Sequence, residues 1–124
     1  MKEVPFSTLL GKTLSQIDVR DDYITFYTTD NKKFYMFHEE DCCESVQIDD
    51  IIGIDINELI GDPILVAEER SNRDDPPLPF YGDTSYTWTF YELATIKGAV
   101  TIRWFGSSNG YYSESVSLYE VSEV

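Results

Sequence analysis

Long hydrophobic runs are absent from this chain of 124 residues. A helix needs about 20 consecutive apolar residues to cross a bilayer, and no stretch approaches that length. The first residues, 1–6, also lack the charged and then apolar pattern of a secretory signal. We therefore expect a cytoplasmic protein that has no membrane among its partners.

Cysteine is scarce, and the two cysteines, Cys42 and Cys43, are adjacent. Adjacent residues close almost no loop, so they cannot supply the stabilising cross-link of a small secreted domain. This cysteine usage favours a reducing compartment. A chain of this length can bury about 65% of its unfolded surface without a disulfide or a metal. We expect a single domain over residues 1–124 that needs no cofactor.

Basic residues are also few, since nine Lys and Arg stand against 23 Asp and Glu, for a formal net charge of −14. Nucleic acid and anionic membranes are polyanions and should repel such a chain. A basic protein surface should attract it, including a surface that normally holds DNA or RNA. The alternative is that the acidic residues serve only to keep the protein soluble.

Residues that favour strands are abundant, with nine Tyr, seven Phe and two Trp. Apolar and polar residues alternate in several segments, which predicts strands at residues 14–19, 23–29, 34–38, 63–67, 86–95, 99–105 and 111–121. Tight turns are expected at Asp30-Asn31, Lys97-Gly98 and Asn109-Gly110. Short connections of this kind join antiparallel neighbours.

Three other segments have helical spacing. Residues 5–14 predict a short amphipathic helix that Gly11 ends. Residues 48–52 and 54–60 place apolar side chains three and four apart, which predicts short helical turns on either side of Gly53. Asp55 is expected to cap the second turn, and Gly61 to follow its end with a left-handed backbone.

A long proline-rich loop is expected at residues 71–85. Together the segments predict an α+β fold. Its sheet is mostly antiparallel and curled or barrel-like, and it carries a short helical insert.

Residues 34–69 contain eleven acids and no Lys or Arg. Single charge pairs interact weakly in water, but the field of many adds up for a basic partner and can imitate a phosphate track. The candidate partner-binding residues here are Asp41, Glu44, Asp49, Asp50, Asp55 and Glu58. The alternative is an ordinary solvated face.

The only histidine, His38, lies close to Cys42, Cys43 and four acids. Zinc favours such ligands, but a structural site needs four, and the paired C-x2-C units are missing. A cysteine nucleophile beside His38 would need a thiolate, which the surrounding acids disfavour. We expect instead that the cysteines pack beneath the helical insert and that the acids cap its backbone.

Residues 103–115 combine aromatic rings, Arg103, small hydroxyls and two glycines. This combination suits a pocket for a small polar or nucleotide-like ligand, and it equally suits a hairpin with a serine-rich solvent face. The candidate partner-binding residues here are Trp104, Asn109, Tyr111, Tyr112 and Glu114. No phosphate-binding glycine loop, serine-centred elbow or HExxH helix occurs, so we predict no catalytic residues and no enzyme.

Five segments of the chain, residues 38–46 (HEEDCCESV), 48–65, 67–69, 88–91 (WTFY) and 97–116, resemble a family of small uncharacterised proteins common in bacteriophages and prophages. The strings DCCES and SNGYYSE are the most specific part of the likeness. The resemblance implies a protein that antagonises bacterial defence. It also implies one shared surface built from Asp41, Cys42, Cys43, Glu44, Trp104, Asn109, Tyr111, Tyr112 and Glu114.

We therefore predict a cytoplasmic binding protein of the host cell, which inhibits a bacterial defence protein by occupying its basic, nucleic-acid-binding surface. Direct binding of nucleic acid is not expected. The alternative is a sponge that sequesters a small nucleotide-like signal in the aromatic hairpin region. A metal- or thiol-dependent enzyme built on His38, Cys42 and Cys43 is less favoured, and a structural role in the virion stays open.

Overall fold

The computed structural model describes residues 1–39, 44–72, 85–108 and 115–121. These residues form nine β-strands and two short 3-10 turns, Phe6–Leu9 and Ile56–Leu59. The strands are β1 Lys2–Val4, β2 Leu14–Val19, β3 Tyr23–Thr28, β4 Lys33–Phe37, β5 Ser45–Gly53, β6 Val66–Asn72, β7 Ser85–Thr95, β8 Gly98–Ser108 and β9 Ser117–Val121. None of the described residues belongs to a helix that is long and apolar enough to cross a membrane.

The strands form two antiparallel sheets. The five-stranded sheet has the order β1-β9-β4-β3-β2, and the four-stranded sheet has the order β5-β8-β7-β6. The prediction of a mostly antiparallel sheet is confirmed. The predictions of a curled or barrel-like sheet and of an α+β class with a short helical insert are wrong, because both sheets are open and the described residues contain no α-helix, only two 3-10 turns.

The predicted meander is present as β2, β3 and β4. Its side chains alternate as expected, so that Ile24 and Phe26 of β3 and Phe34 and Met36 of β4 are buried. Asn31 has a φ of 64° in the turn between β3 and β4, a conformation that Asn tolerates better than most residues.

The predicted C-terminal hairpin is present as β7 and β8, and each strand is 11 residues long. Thr95 pairs with Gly98, so the two turn residues are Ile96 and Lys97, one position earlier than predicted. The turn predicted at Asn109-Gly110 lies outside the described residues. Instead of pairing with β8, β9 lies in the other sheet, between β1 and β4.

The helix predicted at residues 5–14 is wrong: the first 3-10 turn covers only Phe6–Leu9, and β2 begins at Leu14. The helical turn predicted at residues 48–52 is also wrong, because these residues belong to β5. A β-bulge explains the error. Ile48 pairs with Trp104 and Asp50 with Arg103, so Asp49 is an extra residue in β5. The extra residue turns Ile48 and Ile51 to the same side, and a spacing of three resembles a helix.

The turn predicted at residues 54–60 is present in a shorter form, as the 3-10 turn Ile56–Leu59. The capping prediction is confirmed, since the Asp55 carboxylate accepts a hydrogen bond from the Asn57 backbone N–H at 2.9 Å. Gly61 follows with the expected positive φ of 97°. At the predicted strand 63–67, Pro63 makes an isolated bridge to Thr13, and β6 begins only at Val66.

Most of the predicted loop 71–85 lies outside the described residues, although its two ends belong to β6 and β7. The described strands of both sheets share one hydrophobic core. Its largest fully buried side chains include Trp104, Phe26 and Phe34, each of which stabilises the fold by about 1.5–3 kcal/mol. The core thereby holds the two sheets together.

Tyr91 of β7 joins the two sheets. Its ring lies 4.8 Å from that of Phe6, and its hydroxyl reaches the Val116 carbonyl oxygen at 3.1 Å and the Glu69 carboxylate at 3.2 Å. Burial, and next the negative charge of Glu69, raise the pKa of the Tyr91 hydroxyl far above its ordinary value. The folded protein therefore holds this proton more tightly than the unfolded chain does.

Replacing Gly53 with Ala should destabilise the fold. Gly53 has a φ of 117°, and an added Cβ would lie 2.2 Å from the Ala99 carbonyl oxygen. Gly11 is the matched control, because its φ is 82° but a Cβ there meets nothing within 4 Å. In urea unfolding, Gly11→Ala should cost about 1–2 kcal/mol and Gly53→Ala clearly more. Equal losses would contradict the close approach of β8.

Tyr91→Phe should change how stability depends on pH. At neutral pH the variant should lose about 0.5–1.5 kcal/mol with its hydrogen bond. Because the folded-state pKa of Tyr91 is raised, its contribution is complete below the ordinary tyrosine pKa of about 10 and is lost as the pH rises above it. The gap between wild type and variant in free energy of unfolding should therefore shrink at alkaline pH. A constant gap would argue against the raised pKa.

Candidate functional site

Edge strands from the two sheets are joined through the residues that flank them. β2 is the last strand of the five-stranded sheet, and β5 is the first of the four-stranded sheet. The backbone N–H of Ile48 donates to the Asp21 carbonyl at 2.8 Å, and that of Gly61 donates to the Leu14 carbonyl at 3.0 Å. These bonds tie both ends of β2 to the segment that runs from β5 through the second 3-10 turn.

Carboxylates are frequent in the two segments that these bonds join. We call them the acidic edge: Asp18, Asp21, Asp22, Asp49, Asp50, Asp55, Glu58 and Asp62. Three of the described cations contact these eight acids. Arg20 lies 3.3 Å from Asp18, and Lys97 lies 3.0 Å from Asp62. Arg103 Nε donates to Asp49 at 2.8 Å. The acidic edge therefore keeps a net negative charge.

The acidic edge differs from the stretch that the sequence singled out. Four of the predicted partner-binding residues lie in it: Asp49, Asp50, Asp55 and Glu58. Glu68 and Glu69, also in the acidic stretch, lie on β6 at the opposite edge of the four-stranded sheet. Asp18, Asp21 and Asp22 were missed, because only the pairing of distant segments brings them next to β5.

Asp49 occupies the bulge in β5 and holds Arg103 on the outer face of the four-stranded sheet. The Arg103 guanidinium also lies 5.2 Å from the centre of the Trp88 ring, and Trp88 packs on Phe105 at 4.5 Å. Both partners of the ion pair are about one-third exposed. Such a pair contributes little stability, at most about 1 kcal/mol, and it stays accessible to a partner.

Glu44 lies in the interior instead, where its side chain has no exposed surface. Its Oε1 is 2.8 Å from Nε2 of His38, and Nδ1 of His38 is 2.6 Å from the Ser115 carbonyl oxygen. A carbonyl oxygen only accepts, so Nδ1 carries a proton and donates it. A second proton then lies between Nε2 and Glu44, on the histidine or on the carboxyl group.

The His38–Glu44 pair joins three parts of the chain: the end of β4, the residue before β5, and the segment that leads into β9. Both ring nitrogens of His38 are engaged, so the ring has no free lone pair for a substrate. Within the described residues, no group of three or more His, Cys, Asp or Glu side chains could hold a metal ion. The geometry of the pair therefore suits a structural role, in which it holds these three parts of the chain in position.

Trp104 is a core residue that is 1% exposed. Side chains alternate along β8, so Val100, Ile102 and Trp104 face the core, while Arg103 and Phe105 face outwards. The aromatic side chains that the described part of this outer face presents are Trp88, Phe90 and Phe105, which the sequence reasoning did not select. The other candidates, Asp41, Cys42, Cys43, Asn109, Tyr111, Tyr112 and Glu114, lie outside the described residues.

An open cavity of about 580 Å³ lies where the chain leaves β4 and enters β5. Tyr23, Tyr35 and Phe37 form its aromatic wall, and the His38–Glu44 pair also lines it. Asp22 of the acidic edge and the first residues of β5 complete the lining. The sequence reasoning missed this cavity. The sequence feature that could have indicated the cavity is a pair of aromatic residues at alternate positions of β4. These residues, Tyr35 and Phe37, face away from the buried Phe34 and Met36.

Replacing Glu44 with Ala should cost about 3–5 kcal/mol in free energy of unfolding, because Nε2 of His38 is left buried without its partner. Glu44→Gln should cost less, since an amide can donate to or accept from Nε2. The matched control is Glu68→Ala, which breaks an exposed pair with Arg70 and should change stability by less than about 0.5 kcal/mol. Urea unfolding at neutral pH measures all three variants. Small and equal losses for both alanine variants would contradict a structural role for Glu44.

Comparison with known proteins adds one match. The model of a domain of unknown function, DUF7448, matches residues 7–118. Neither the curated proteins nor the solved structures contain a match. The matched region includes β2 to β8, the acidic edge, the cavity lining apart from Met1, and the start of β9. The chain therefore belongs to the DUF7448 family.

Proposed function

We propose that this protein is a binding protein whose acidic edge docks on the basic surface of a partner protein. The observation that carries the proposal is that the backbone bonds from Ile48 to Asp21 and from Gly61 to Leu14 join two acidic segments, residues 18–22 and 49–62, which hold the eight carboxylates of the acidic edge. Among the described residues, Arg20, Lys97 and Arg103 are the cations that contact these carboxylates. Each of these cations already has a carboxylate partner. A positively charged surface would therefore meet a field that the protein has not neutralised itself.

The edge position supports a partner other than a second copy of this chain. Edge strands offer unpaired backbone groups, and charged side chains and bulges discourage pairing with another strand. The bulge at Asp49 and the flanking acids have this effect on β5. Two copies, each of net charge −14, would also repel each other along their acidic edges.

The partner that we propose is a bacterial defence protein, and its blocked surface is one that normally holds nucleic acid. The phage or prophage setting comes from the sequence resemblance. A surface built to bind phosphates is rich in Lys and Arg, and a carboxylate-rich edge offers charges of the same sign as phosphates. Competition for such a surface would inhibit the host protein without any catalytic step.

The alternatives have less support. A nucleotide sponge would need cations for the phosphates, but Arg103 is held by Asp49, and the cavity is lined by Asp22 and Glu44. An enzyme centred on His38 would need a free ring nitrogen, and both nitrogens are engaged. Cys42 and Cys43 lie outside the described residues.

The proposal is tested by affinity capture of a partner from bacterial lysate, followed by binding measurements with the purified partner. The test variant neutralises four carboxylates of the acidic edge, with the changes Asp21→Asn, Asp50→Asn, Asp55→Asn and Glu58→Gln. Asn can still cap the second 3-10 turn, and Asp49 is kept so that Arg103 stays paired. We expect affinity to fall by about 10- to 100-fold, and added salt should weaken wild-type binding most.

The matched control removes the same charge elsewhere, with Glu3, Glu68, Glu92 and Glu120 each changed to Gln. These residues lie on β1, β6, β7 and β9, away from the acidic edge. The control should bind nearly as well as wild type, and wild type should displace nucleic acid from the partner. Equal losses in both variants would mean that only total charge matters, and the proposal would fail.

A further inference from the structure

We propose that the cavity next to the acidic edge is a receptor for a guanidinium group. The group could belong to an arginine side chain of a partner protein or to a free arginine-like small molecule. The chemistry is the same in both cases. The site consists of the aromatic wall Tyr23, Tyr35 and Phe37 together with the carboxylate of Asp22. It goes beyond the proposed function, because it names a second site, which shares only Asp22 with the acidic edge.

The aromatic wall is ordered by its neighbours. Tyr23 lies opposite Phe37 in the β3–β4 register, and the rings of Tyr23 and Tyr35 meet at 70° with their centres 6.5 Å apart. Phe37 packs on Tyr119 of the adjacent strand at 5.0 Å. The rings of Tyr23 and Tyr35 therefore form a corner with a fixed orientation. A flat cation can stack on the face of one ring while the other ring bounds the cavity beside it.

The base of the cavity is also held in place. The His38–Glu44 pair is buried at its lining, and the bond from Ile48 N–H to the Asp21 carbonyl ties the β2–β3 turn to β5. Asp22, the next residue, is exposed at the rim. A preformed pocket of this kind costs a ligand little in reorganisation, and a volume of about 580 Å³ is within the usual range for small-ligand sites.

The charges favour a cation over an anion. Among the residues that the structure describes, the lining contains the carboxylates of Asp22 and Glu44 and no Lys or Arg, and Met1 also contributes to it. A phosphate or carboxylate ligand would face Asp22 and the acidic edge without a described arginine or lysine to hold it. A positive group would be drawn in by the net charge of −14.

The same sheet face already holds a cation. The Lys33 ammonium lies 4.6 Å from the centre of the Tyr35 ring and 5.5 Å from that of Tyr27. Tyr35 therefore belongs both to this cation–π contact and to the cavity wall. A guanidinium suits the cavity better than an ammonium, because its plane stacks on a ring while its edge donates two parallel hydrogen bonds to a carboxylate such as Asp22.

Titration calorimetry tests the proposal with four probes: L-arginine, its uncharged isostere L-citrulline, a short capped peptide with one arginine, and AMP. We expect L-arginine or the peptide to bind with a dissociation constant on the order of a millimolar, and L-citrulline and AMP not to bind. Binding by the peptide alone would assign the site to a partner's arginine, and binding by both would admit a free ligand. Failure of both, or equal binding of L-citrulline or AMP, would overturn the proposal.

Variants identify the site. Tyr23→Ala and Asp22→Asn should each weaken binding at least about fivefold, whereas Tyr23→Phe keeps the ring and should bind like wild type. Tyr27→Ala is the matched control, because Tyr27 contacts Lys33 but does not line the cavity. Asp22 is in an exposed turn, so Asp22→Asn gives an answer even if Tyr23→Ala folds poorly. Unchanged binding in Asp22→Asn and in a folded Tyr23→Ala would refute the assignment.

The two sites can be told apart. The variant with a neutralised acidic edge keeps Asp22 and the three rings, so it should bind the arginine probe within about threefold of wild type while losing the partner. A protein that binds the captured partner but no arginine probe would retain the proposed function and lose this inference. The reverse result would leave the cavity assignment standing alone.

Discussion

The structure depends on one constraint, the packing of two open sheets around a single core, with backbone bonds that join the segment around β2 to β5 and the turn after it. Hydrophobic burial supplies the stability, but it does not favour one relative orientation of the two sheets. A few polar contacts at the ends of the strands set this orientation, among them the backbone bonds from Ile48 to Asp21 and from Gly61 to Leu14. These bonds turn two acidic segments that are distant in sequence into one surface. A sheet stacked in another orientation would have the same charge but no acidic edge.

The sequence predicted β3, β4, β7 and β8 from their alternating, β-branched and aromatic residues. It also predicted β2, despite a register irregularity between Leu14 and Gln16, but it failed at β5. β5 was mistaken for a helical turn because the bulge at Asp49 puts Ile48 and Ile51 on one side. A bulge depends on the partner strand, in this case β8. The sequence of one strand does not show which strand it pairs with. The same limit applies to β9. No local sequence pattern identifies β1 and β4 as its neighbours.

The candidate site was predicted in part for a related reason. Charge is visible in a sequence, so the importance of Asp49, Asp50, Asp55 and Glu58 could be proposed before the fold was known. Which face of a strand is buried is harder to infer, since a shift of one residue exchanges the two faces. Trp104 was therefore taken for a surface residue, although its neighbours Arg103 and Phe105 are the ones that face outwards. Glu44 was grouped with the surface acids, because its burial depends on His38 and Ser115, which different segments supply.

The distribution of cations links the acidic edge to the cavity. Arg20, Lys97 and Arg103 lie against carboxylates of the edge, and Lys33 lies against tyrosine rings beside the cavity. The described residues that line the cavity include no Lys or Arg. Repulsion among the remaining acids opposes folding, and the core must offset it. Solubility alone would account for the acids but not for an aromatic corner that opens beside them. Negative potential next to ordered rings is the arrangement that recognises organic cations in general, and an arginine-rich surface presents such cations.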